Sequence, residues 1–144
     1  MIESKITVPS GNSQEDIKER SRIIFDFFKE WEEKNPSKCI YNRNLKSEIH
    51  VRNISVIETA RHASKRYLST LAVLQLDSVL STAKKIHVEK PESRDNQKSF
   101  RSMIVMEAIL PGISKVKLTV GVRHKTLLKV QYCITAIETE KAPD

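Results

Sequence analysis

The chain predicts an α+β fold: N-terminal helices packed on one face of a C-terminal antiparallel β-meander of three to four strands. Three observations carry this. Ser114 to Arg123 alternates without error, with Val116, Leu118, Val120 and Val122 on one side and Lys115, Lys117, Thr119, Gly121 and Arg123 on the other. Such alternation marks a strand with one buried and one exposed face. The hydrophobic period is helical before Ile86 and alternating after it. Helices first and neighbouring strands afterwards is the α+β order.

Residues 1–12 lack periodicity and end in Pro-Ser-Gly-Asn, the look of a flexible arm before an α+β domain spanning 13–144. Ser13 followed by Gln14, Glu15 and Asp16 is an N-cap with acids in the first turn. Ile17, Ile24, Phe27, Phe28 and Trp31 then form one helical stripe, and the helix is expected to stop near Lys34, ahead of Asn35-Pro36. That stripe has to be covered, by the core of the domain or by a protein partner docking on Phe27, Phe28 and Trp31. Cys39 to Val51 is mixed and reads as a linker or a short strand.

Ser55-Val-Ile-Glu58 has the form of a capping box, and Val56, Ala60, Ala63 and Tyr67 continue it as one helix from about 55 to 68. Leu71 to Leu76 is an apolar, buried run, and Asp77 can cap a short helix from Ser78 to about Lys85. His87 to Lys90 reads as a first strand ended by Pro91, with a polar turn region following. Phe100 to Ile109 alternates, and Pro111-Gly112 turns it into the Ser114 strand as a hairpin. After a second connection at His124 to Leu128, Val130, Tyr132, Ile134 and Ala136 supply the last strand.

With 144 residues, 39% hydrophobic and 30% charged, the chain is one ordinary domain's length and composition. No apolar run approaches the roughly 18 residues of a membrane span. The opening Met-Ile-Glu-Ser-Lys lacks the basic and apolar regions of a secretory signal, and two cysteines are too few for a disulfide framework, so a cytoplasmic location is expected. Lys and Arg number 25 against 18 Asp and Glu, a net charge of +7. Such a balance favours polyanions, because phosphate contacts dominate nucleic-acid affinity. RNA or another polyanion is therefore the expected partner, although aromatic residues at 6% are too sparse for a base-stacking platform.

Each helical residue advances about 100 degrees, which places Glu58, His62 and Lys65 opposite the Val56, Ala60, Ala63 and Tyr67 stripe, with Arg61 and Arg66 flanking them. An acid, an imidazole and a guanidinium within reach suit ribonuclease chemistry. A base takes the 2′-hydroxyl proton, an acid protonates the leaving oxygen, and cations stabilise the phosphorane. His62 and Glu58 are the candidate catalytic pair. Arg66, Lys115, Lys117, Arg123 and His124 are the candidate phosphate ligands, with Arg123-His124-Lys125 at a strand end as a phosphate grip. The same patterns also describe a solvated helix face and a wet hairpin loop. His50, His62, His87 and His124 match no zinc spacing, and neither a Gly-rich phosphate loop nor a nucleophile elbow occurs, so no metal or cofactor is expected.

From about Ser55 to Glu138 the Ser-capped helix, Leu74-Gln-Leu-Asp-Ser-Val-Leu80 with Ala83, Lys-Val-Lys-Leu-Thr-Val and Gln-Tyr-Cys-Ile-Thr-Ala-Ile-Glu resemble the large polyvalent-protein-associated domains of phages and mobile elements. These fall in the barnase–EndoU–colicin–RelE nuclease-like class. The resemblance implies a nuclease-like core at 55–138, helices on one face of an antiparallel sheet, and RNA cleavage on the other face. It puts His62 and Arg66 at helix positions that carry polar or basic groups, and Lys115, Lys117 and Arg123 on the charged face of the central strand; residues 1–54 lie outside it. The expected function is a small basic nuclease-like domain cleaving RNA without metal. The alternative is a non-catalytic module that binds nucleic acid or protein.

Overall fold

The computed structural model describes residues 7–90, 100–123 and 132–139. The element order is α1 (Gln14–Lys34), β1 (Cys39–Asn42), β2 (Ser47–His50), α2 (Asn53–Ala63), α3 (Tyr67–Val73), α4 (Leu76–Thr82), β3 (Lys84–Glu89), β4 (Phe100–Leu110), β5 (Ser114–Arg123) and β6 (Tyr132–Thr139). Helices precede the C-terminal meander, as the α+β reading requires.

One six-stranded sheet runs β1-β2-β6-β5-β4-β3. β3 to β6 are consecutive antiparallel neighbours, with Leu118 opposite Met106 on one side and Ile137 on the other. The β4–β5 hairpin closes at Pro111-Gly112, where Ile113 donates its N–H to the Leu110 carbonyl at 3.1 Å and Gly112 takes φ 79°. Proline followed by a left-handed residue is what a type II turn demands. The segment from Cys39 to Val51 is not one short strand but the β1–β2 hairpin, and β2 joins the sheet parallel to β6.

Val116, Leu118, Val120 and Val122 of β5 and Ile104, Met106 and Ala108 of β4 share one core with Ala60, Ala63, Ala72, Val73, Leu76 and Leu80 of the short helices. Thus α2, α3 and α4 cover the even-numbered face of β5. α2 and α3 lie against β6, α4 lies against β1 and β4, and α1 packs on α2 and α3.

α1 starts as expected, with the Ser13 hydroxyl accepting the Asp16 N–H at 3.1 Å, and its last residue is Lys34. Phe28 and Trp31 are buried in the shared core and Phe27 packs partly buried against it, so this stripe is an interior surface and not a docking face.

Three local expectations change. Ser55 does not cap α2; the helix begins at Asn53 and buries Ser55 in its first turn. The helix expected over 55–68 breaks into α2 and α3, with Ser64, Lys65 and Arg66 between them. Side chains tie the backbone around the break in addition to its own bonds, in which the Ala63 carbonyl accepts the Arg66 N–H and the Arg66 carbonyl the Thr70 N–H, both at 3.1 Å. Buried Arg20 of α1 donates from Nε to the Ser64 carbonyl at 2.7 Å. The buried Thr70 hydroxyl lies 3.0 Å from the Ala63 carbonyl and 2.9 Å from that of Arg66. Arg20 also holds the carbonyls of Pro9 and Gly11 through Nη1, at 2.8 and 2.7 Å, tying that part of the N-terminal arm to α1. Finally, Asp77 lies inside α4 rather than before it, and its carboxylate accepts the Trp31 Nε1–H at 2.9 Å.

Candidate functional site

The site lies at the break between α2 and α3. Had the helix continued, Arg66 would stack one turn above His62. Instead the chain leaves αR geometry at Arg66 (φ −132°, ψ 140°), which becomes the N-cap of α3. His62, Lys65, Arg66 and Ser69 then surround a recess of about 210 Å³. Three groups able to carry positive charge and one hydroxyl line it, with no carboxylate among the lining residues.

Glu58 stands one turn before His62. Its Oε2 lies 3.3 Å from His62 Nε2, and its Oε1 lies 3.5 Å from an Arg61 guanidinium nitrogen. The Glu58 side chain retains only 15% of its accessible surface and that of His62 32%, against 69% for Arg61. A merely solvated helix face would leave all three open. A carboxylate held beside an imidazole nitrogen favours the ring orientation that presents that nitrogen to it.

The cations of the sheet are elsewhere. Lys115 and Lys117 are exposed on β5 and alternate with Val116 and Leu118, which face the helices, so both lysines point to the opposite side of the sheet. That face is also less basic than β5 alone suggests. Lys117 sits in register between Glu107 of β4 and Glu138 of β6, and Lys115 Nζ is 3.9 Å from Glu107 Oε1. Arg123 ends β5 opposite Phe100, and His124 lies outside the described residues. Of the residues named from sequence, the fold therefore groups Glu58, His62 and Arg66, and it separates Lys115 and Lys117 from them by the thickness of the sheet and its helix layer.

Ser69, seven residues after His62, is the lining residue left out of the sequence reading, although 62, 65, 66 and 69 have the i, i+3, i+4, i+7 spacing of one helix face. Lys65 shares the recess although it lies in the turn and not on the helix. Among the described residues, no three His, Cys, Asp or Glu side chains gather as a metal-holding group. No described helix is long and apolar enough to cross a membrane.

A sequence model described as large polyvalent protein-associated domain 3 matches residues 21–127. The chain belongs to that family. As a large polyvalent protein-associated domain 3, it is a phage- and mobile-element-associated domain. The match begins inside α1, so the first helix is part of the family unit rather than an addition preceding it. It also contains every residue of the recess. Comparisons with curated proteins and with solved structures give no match.

Proposed function

We propose that this large polyvalent protein-associated domain 3 binds RNA, seating a backbone phosphate in the recess between α2 and α3. The observation that carries the reading is the recess itself, in which Lys65, Arg66, His62 and the Ser69 side chain converge without a lining carboxylate. Lysine and arginine supply the charge that a phosphate contact needs. The +7 net charge raises the local concentration of any polyanion around the site.

Titrating a fluorescent single-stranded RNA at several salt concentrations tests this. Replacing Lys65 and Arg66 together by alanine should weaken binding roughly tenfold or more and lower the magnitude of the log–log salt slope by about 1 to 2. Absence of binding by the native chain, or equal affinity and slope in the double variant, would refute the reading.

One observation favours cleavage in addition to binding: Glu58 held on His62 beside the cations. In that reaction neutral His62 removes the 2′-hydroxyl proton and O2′ attacks the phosphorus. The P–O5′ bond then breaks, O5′ leaves with a proton from imidazolium or water, and a 2′,3′-cyclic phosphate remains. His62→Ala should abolish cyclic-phosphate product while changing RNA affinity by less than the Lys65, Arg66 pair does. Equal product from both proteins would leave binding as the whole function.

A further inference from the structure

Among the described residues, the end of the sheet opposite β1 is open. β3 pairs with β4 alone, every residue from Lys84 to Glu89 is exposed, and no described strand lies along its outer edge. A strand in that position presents unpaired N–H and C=O groups to any extended segment that can add to it. Two apolar side chains stand open on it, Ile86 at 49% and Val88 at 54% exposure.

The sequence of this edge is complementary to itself. When Lys-Lys-Ile-His-Val-Glu is laid antiparallel to a copy of itself about a two-fold axis, Lys84 falls opposite Glu89, Lys85 opposite Val88 and Ile86 opposite His87. The faces agree as well. Lys84 is in register with Glu107 and Glu89 with Met103, both on the side of the sheet away from the helices, while Lys85 and Val88 are in register with Met106 and Ile104 on the helix side. A two-fold axis perpendicular to the sheet keeps those sides together. Each Lys84–Glu89 pair and each Lys85–Val88 pair then meets on one face, where directly opposed side chains interact. The Lys85 stem covers the Val88 of the other copy while its ammonium stays in water.

We infer that β3 is a homodimerisation edge, through which two copies of this chain join their sheets into one twelve-stranded sheet by antiparallel β3–β3 pairing. Lysines and the register shift between Lys85 and His87 would discourage an indiscriminate partner strand. The Lys84–Glu89 pairing lets the charges select a second copy instead. A wholly acidic partner strand would satisfy the lysines but set a carboxylate against Glu89, which His87 already engages at 2.8 Å.

Sedimentation of the full chain over a range of concentrations, with a nuclease-treated sample, reads the association directly. The native chain should show a reversible monomer–dimer equilibrium. Lys84→Glu sets two glutamates against each other at both ends of the interface and should weaken the dimer roughly tenfold or more. Lys84→Glu with Glu89→Lys reverses both pairs and should restore most of the loss. Circular dichroism and melting identify a variant that fails to fold, since Lys84 also stands in register with Glu107 of its own chain, and Glu89→Lys, in register with Met103, then provides a second charge conflict. A chain that stays monomeric at every concentration would overturn the inference, as would a dimer indifferent to the single reversals or one the double reversal does not recover.

Discussion

At the scale of single residues, the buried polar groups of α2 discriminate between a local and a tertiary account of the same serine. Ser55 reads as the first half of a capping box, and a capping serine replaced by alanine costs about 1 kcal/mol. In the fold, Ser55 Oγ and Thr59 Oγ1 are both buried and neither meets a hydrogen-bond partner. A buried hydroxyl without a partner is a desolvation cost with no return. Ser55→Ala should therefore not lower stability, and Thr59→Val, which keeps the shape, should raise it by about 1 kcal/mol in urea unfolding. A loss of 1 kcal/mol in Ser55→Ala would reinstate the cap. The capping pattern misleads because α2 starts two residues earlier, at Asn53, which puts Ser55 in its first turn beside buried Val56.

At the scale of elements, the β1–β2 hairpin shows what alternation could not reveal. Its strands are four residues each, too short for a periodic signal, and what holds them is a side chain. Buried Asn42 makes four hydrogen bonds: Nδ2 donates to the carbonyls of Leu80 and Ala83 at 2.7 and 2.9 Å, and Oδ1 accepts the N–H groups of Asn44 and Leu45 at 3.0 and 2.7 Å. One residue thus shapes the turn and fastens it to the C-terminal end of α4. Asn42→Ala should cost about 3 kcal/mol and Asn42→Asp a comparable amount, since a carboxylate would face two carbonyls; thermal and denaturant unfolding check both. A variant of native stability would mean the hairpin is held by β2–β6 pairing alone. The longer elements were legible for the opposite reason. β5 carries ten alternating residues and α1 a capped, amphipathic pattern of 21, and each has one interior face to declare. The α2–α3 break was not legible, since the residues that stabilise it, Arg20 and Thr70, are outside the broken segment.

At the scale of the molecule, the helix layer decides which charges can act together. Glu58, His62 and Arg66 lie with the helices, and Lys115 and Lys117 lie on the far face, opposed by Glu107 and Glu138 in register. Lys115→Ala with Lys117→Ala should consequently reduce RNA affinity less than Lys65→Ala with Arg66→Ala does, although each pair removes two charges. Equal losses in parallel titrations would indicate that overall charge, not the recess, governs binding. Glu107→Lys should make the sheet face compete, seen as a steeper salt dependence than the native chain.

By itself the sequence determined the α+β class, the β4–β5 hairpin and its turn, the cap of α1, the basic balance and the likeness to large polyvalent protein-associated domains. These follow from local periodicity, turn chemistry and composition, which need no knowledge of neighbours. Only the tertiary structure decided that α2 ends at Ala63, that the side chains around that end enclose a recess, that β2 runs parallel to β6, and that β5's Lys117 stands in register with Glu107 and Glu138. Each of these depends on groups far apart in the chain: a guanidinium from α1 meeting a carbonyl after α2, or strands set in register by a sheet. The free energy that settles them is released only when those distant segments are packed together.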